Sequence, residues 1–95
     1  MKNNVNLHKQ LCDDIHNLYI QKNTDYGSSA SKSYQEFGMT AYLIRLSDKL
    51  NRLKTLSKQE QLVKDESIKD TLMDMAGYCL LALVDLETED VSRET

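Results

Sequence analysis

Residues 66–87 read ESIKDTLMDMAGYCLLALVDLE. Ile68, Leu72, Met75, Ala76, Cys79, Leu80, Leu83 and Val84 recur at intervals of three and four, the period of an α-helix with one apolar side. The second half of the stretch, CLLALVDL, is apolar nearly all round, so cover is expected on more than one face, and a second copy of the chain could supply it. Asp65 suits the N-cap, and Glu66 in the first turn complements the positive end of the helix dipole.

Working toward the N-terminus, KQEQLVKD at 58–65 is a polar connection. Before it, Met39 to Ser57 forms a second long helix, with Tyr42, Leu43, Leu46, Leu50, Leu53 and Leu56 as its apolar positions. Gly38 breaks the chain ahead of that helix. Ser33 and Glu36 have capping-box spacing, which predicts a short helix ending at Phe37. Residues 22–32, KNTDYGSSASK, read as a polar loop. An N-terminal helix over 5–21 carries Val5, His8, Leu11, Cys12, Ile15, Leu18 and Tyr19 on one stripe. The tail from 88 to 95 is expected to fray.

The chain has no Pro and three Gly, against roughly five and seven at average usage, as long helices require. Its 95 residues make a single domain, all-α, with the core at about 5–87 and too thin to exclude an oligomer. A net charge of -3 and a pI near 5.3 argue against a nucleic-acid backbone binder. No apolar run is long enough for a membrane span, and residues 1–10 have no signal-peptide core. Cys12 and Cys79 sit among apolar neighbours and read as reduced core cysteines, which with the preceding points predicts a cytoplasmic protein. His8 and His16 have no Cys or His partner at ligand spacing.

Glu66, Asp70 and Asp74 follow one another at intervals of four and share a helix face, which Tyr78 continues. The preceding helix carries Arg45, Asp48, Lys49 and Arg52 at intervals of three and four, interleaved with leucines. If the two long helices pack antiparallel, these strips meet. One outcome is structural ion pairing of Arg45 and Arg52 with Asp70 and Asp74. The other is a mixed site, in which acids hold a hard divalent cation such as Mg²⁺ and the basic residues hold phosphate oxygens. Both remain open on spacing alone. Lys22, Asp25, Tyr26 and Gly27 add K-x-x-D-Y-G, a charge, a stacking ring and a tight turn.

The ordered set K-x-x-D-Y-G, Phe37-Gly38, R-L-x-D-K-L-x-R-L at 45–53 and E-x-x-x-D-T-L-x-D at 66–74 resembles the nucleotide modification associated domain of phage and bacterial proteins, over roughly residues 11–87. That family looks like a branch of the MazG-like all-α nucleoside triphosphate pyrophosphatases. The resemblance implies a four-helix unit, with two long antiparallel helices plus an N-terminal and a short one, assembled as a homodimer or homotetramer. It implies Mg²⁺ (or Mn²⁺) held by Asp48, Glu66, Asp70 and Asp74, with Asp48, Asp70 and Asp74 as the catalytic acids. Lys22, Asp25 and Tyr26 fall where the base and sugar of a dNTP or NTP would be gripped. The cations Arg45, Lys49 and Arg52 would neutralise phosphate charge.

The pattern also departs from its relatives. MazG-like enzymes carry E-x-x-E on the first acidic helix and E-x-x-D on the second. Here Lys49 and Arg52 follow Asp48, and the second helix has D-x-x-x-D. Two readings follow: a Mg²⁺-dependent nucleoside triphosphate pyrophosphohydrolase of nucleotide metabolism or modification, or a catalytically degenerate module that binds a nucleotide or a host protein partner.

Overall fold

In the computed structural model the described residues are 4–26, 29–58 and 61–94, with side chains described for these except at 24–26, 61–66 and 90–94. Four helices follow one another: α1 (Val5–Tyr26), α2 (Ser29–Phe37), α3 (Thr40–Leu56) and α4 (Gln61–Glu94). There is no strand among the described residues. The all-α expectation holds, and the helices pack together, but several boundaries move. The expected loop at 22–32 is mostly helical, since α1 continues to Tyr26 and α2 already starts at Ser29. Neither Ser nor Asn forbids a helix; both only weaken it by offering the backbone alternative bonds. Ser33 is therefore inside α2 rather than at its cap. The last helix begins four residues before Asp65 and continues through the tail to Glu94. Gly27 lies outside the described residues.

Gly38 ends α2 in the left-handed region, with φ of 70°, and its N–H donates to the Tyr34 carbonyl at 2.7 Å. A side chain there would meet nothing within 4 Å, so glycine is required by the backbone and not by space. The chain then turns directly into α3, where the Ala41 N–H donates to the Gly38 carbonyl and the Leu43 N–H to that of Met39.

Three cross-contacts set α3 against α4. Tyr42 meets Asp85, Arg45 meets Tyr78 and Lys49 meets Asp74. Numbers rise along α3 as they fall along α4, so the two run antiparallel. Positions 42, 45 and 49 repeat at three and four, as do 74, 78 and 85 at four and seven, so each helix turns one stripe to the other. Those stripes are largely polar.

The described core is correspondingly small. Ala41, Tyr42 and Leu56 are its buried hydrophobic residues, and Thr71, 1% exposed, turns its hydroxyl back to the Ser67 carbonyl at 2.7 Å. Of the expected buried stripe of α4, Ile68, Met75 and Ala76 are half-buried, and the rest faces outward. Leu72, Leu80, Leu83 and Val84 are each at least half exposed, and Cys79 is exposed too. On α3, Leu43, Ile44 and Leu50 lie outside. On α1, Leu11, Ile15 and Leu18 are half-buried, while Val5, His8, Cys12 and Tyr19 are exposed. Neither cysteine is a core residue, because each sits on the outward side of its helix.

The chain exposes 7566 Å², about 2,000 Å² more than the roughly 5,600 Å² of a compact monomer of its mass. Its radius of gyration of 15.6 Å likewise exceeds the roughly 12 Å expected for its length.

Candidate functional site

The polar stripe of α3 and that of α4 open onto one cleft. Arg45, Asp48, Lys49 and Arg52 from α3 and Tyr78 from α4 line it, and its volume is about 330 Å³. The lining holds three cations against one carboxylate, in a chain whose net charge is -3. Positive charge is therefore concentrated here against the overall balance, the local condition for holding an anion.

Arg45 is held on two sides. Its guanidinium carbon stands 5.7 Å from the Tyr78 ring centre, a cation–π distance, and its Nη2 reaches the Ser33 hydroxyl at 3.5 Å. Both contacts restrict the side chain before any ligand arrives. Lys49 and Lys22 converge on Asp74. The Lys49 ammonium is 3.1 Å from Oδ2 and that of Lys22 is 3.7 Å from Oδ1. Lys22 belongs to the far end of α1, so this pair also ties α1 to α4. Asp74 and Lys49 are about one quarter exposed, which lets them interact more strongly than a fully solvated pair.

Part of the sequence-derived site is assembled. Arg45, Lys49, Arg52 and Asp48 line one cleft, with Asp74 and Lys22 beside it. Of the acid line of α4, Asp74 meets the charged strip of α3, and its partner there is Lys49, not Arg45 or Arg52. Asp48 and Asp70 are exposed. K-x-x-D-Y lies on the last turns of α1 and not in a loop; the side chains of Asp25 and Tyr26 are outside those described, as is that of Glu66. Among the described residues, no three His, Cys, Asp or Glu side chains gather where a metal ion could be held. Asp48 and Asp70 are exposed, and both oxygens of Asp74 face ammonium groups.

Tyr78 was legible as the next step of the acid line but not as the face on which an arginine rests. A second polar cluster had little signal at all. The Tyr42 hydroxyl, on a side chain with no exposure, donates to Asp85 Oδ2 at 2.5 Å, and Ser31 donates to the same carboxylate at 2.9 Å. The Tyr34 hydroxyl donates to Glu89, and its ring tilts against that of Tyr42 with centres 5.9 Å apart. Burial, then the Asp85 carboxylate, raise the Tyr42 phenol well above the ordinary tyrosine range. This cluster bolts α2 and α3 to α4 one helical stretch away from the cleft. Its one visible clue is Asp85 interrupting the apolar run of residues 79–86.

A sequence model of the family described as nucleotide modification associated domain 1 matches residues 22–86. The chain belongs to that family. The match begins at the lysine that reaches Asp74 and spans every residue lining the cleft. No curated protein and no solved structure matches the chain.

Proposed function

We propose that this member of the nucleotide modification associated domain 1 family binds a nucleotide, holding its phosphate chain in the cleft between α3 and α4. The family's description supplies the ligand class. The observation that carries the reading is the convergence of Arg45, Lys49 and Arg52 on a single cleft. Arginine forks and a lysine point charge are suited to phosphate oxygens, and Arg45 is already oriented by Tyr78 and Ser33. The test is equilibrium binding of dNTPs and NTPs to the wild type and to Lys49→Ala/Arg52→Ala. Equal affinity of the two proteins for every nucleotide would sink the reading.

One observation favours a second, hydrolytic reading. Asp48 lines the cleft and Asp74 stands at its side, the acids that a Mg²⁺-dependent pyrophosphohydrolase would use. Its support is weaker, because the described carboxylates do not converge. Pyrophosphate release from a panel of canonical and modified dNTPs with Mg²⁺ or Mn²⁺ tests it, and no turnover by a folded protein would exclude it.

The protein is further proposed to act as a homo-oligomer. The excess exposed area of about 2,000 Å² exceeds the roughly 800 Å² per partner of a standard interface and lies in the range of obligate ones. The exposed leucines of α4 supply an apolar centre for such an interface.

A further inference from the structure

We infer that the cleft takes the metal-free form of a di- or triphosphate chain, the lysine ammoniums beside Asp74 supplying the positive charge that a divalent cation supplies in metal-dependent nucleotide sites. The inference deepens the nucleotide reading above and rests on it.

A bound Mg²⁺ needs several oxygen ligands free to turn toward it. Asp74 is the acid of α4 that meets the cationic strip, and its two oxygens already face Lys49 at 3.1 Å and Lys22 at 3.7 Å. A divalent ion at Asp74 would have to displace both ammoniums or sit against them, and like charges at that range repel. Asp48 and Asp70 are exposed, and among the described residues they do not join Asp74 in a group of three ligands. The site is instead built for an anion that brings no cation with it. Arg45, Lys49 and Arg52 lie at i, i+4 and i+7, so they follow one helix face for roughly 10 Å, the reach of linked phosphates rather than of one.

Lys49 is the pivot. It lines the cleft and bonds Asp74, so it can turn from carboxylate to phosphate without leaving its place. Two consequences follow. Mg²⁺ chelates the same phosphate oxygens and hides them from the cleft, so it weakens binding. Asp74 competes with the ligand for Lys49 and Lys22, so neutralising it strengthens binding. A metal site requires the reverse in both cases.

The experiment is calorimetric titration of dATP and, separately, inorganic tripolyphosphate into the full chain, in EDTA and in excess Mg²⁺, with the wild type and Asp74→Asn. Circular dichroism checks that the variant keeps its helices, and Asp74→Ser serves as a second neutral variant if it does not. Expected are binding in EDTA, weaker binding in Mg²⁺, and a roughly two- to fivefold gain in affinity in EDTA for Asp74→Asn, the range that one partly exposed ion pair can release. Binding of dATP only in Mg²⁺, or its loss in a folded Asp74 variant, would overturn the inference and leave the nucleotide reading standing. Binding of tripolyphosphate but not dATP in EDTA would overturn the nucleotide and keep the metal-free anion site. Absence of binding in every arm would overturn both.

Discussion

Leu83 gives a direct test of whether the outer face of α4 is covered in solution. It is 54% exposed in the single chain. Complete burial of a leucine side chain contributes about 1.5–3 kcal/mol, so covering the exposed half contributes about 1 kcal/mol. In a two-fold interface the same residue is counted once from each copy, which makes about 2 kcal/mol per dimer. Leu83→Ala should therefore raise the dissociation constant about 30-fold. Leu83→Asp should do more, because it also brings a carboxylate on each copy out of water without a partner. Sedimentation velocity from about 1 to about 100 µM reads the shift directly, since an interface of this size spans micromolar to far tighter affinities. Circular dichroism of both variants should keep the wild-type helix content, because Leu83 contributes little inside the chain. The reasoning is refuted if the wild type sediments as a monomer throughout that range while melting cooperatively. It is also refuted if Leu83→Asp leaves the oligomer unchanged.

Other substitutions address the interior. Tyr42→Phe removes the donor to Asp85 and should cost about 1.5–3 kcal/mol, a drop of roughly 10 °C or more in melting temperature. The Tyr42 pKa is raised on folding, so its contribution is whole below the unfolded value near 10 and declines by about 1.4 kcal/mol per pH unit above it; a plot of the difference between wild type and Tyr42→Phe against pH should fall there and be flat below. Gly38→Ala forces a side chain into φ of 70° and should destabilise by about 1 kcal/mol, visible as a lower urea midpoint with unchanged slope. Lys22→Ala breaks only a 3.7 Å pair with a half-exposed lysine and should cost less than about 1 kcal/mol, so a large thermal shift would mean that α1 depends on it more than its contacts suggest.

The backbone was more legible than the packing. A helix from Met39 to Ser57 was readable because no Pro or Gly interrupts its three-and-four period, and the observed Thr40–Leu56 departs from it by one residue at each end. The segment from Lys22 to Lys32 was misread because Ser, Thr and Asn are common to loops and tolerable helices; composition alone does not separate them. The direction of burial was misread for a different reason. Hydrophobic periodicity marks the face of a helix that leaves water, but not whether its own chain or another covers it. In α4 the most apolar face, with Leu72, Leu80 and Leu83, points outward, while Asp74, Tyr78 and Asp85 turn to α3. Within the site, the strip of Arg45, Lys49 and Arg52 was readable because its spacing is local. Lys22 against Asp74 was not, because 52 positions separate them and only the packing of α1 on α4 joins them.

That inversion has an energetic consequence. Two helices facing one another through charged and hydroxyl groups gain little from burial, and their polar groups must all find partners. Among the described side chains they do: no buried nitrogen or oxygen lacks one. Such an interface fixes the antiparallel register, since a shift by one turn would separate Lys49 from Asp74 and Tyr42 from Asp85 together. It does not supply the apolar burial that offsets chain entropy, which for a domain of this size already leaves a narrow margin. The missing burial is on the outside, in the leucines of α3 and α4. The same two helices thus divide the work by face. In the reading proposed above, the inner one positions charge for a ligand, and the outer one holds the apolar surface that association would bury. The cleft opens on the inner face, so covering the outer one leaves the cations of α3 accessible.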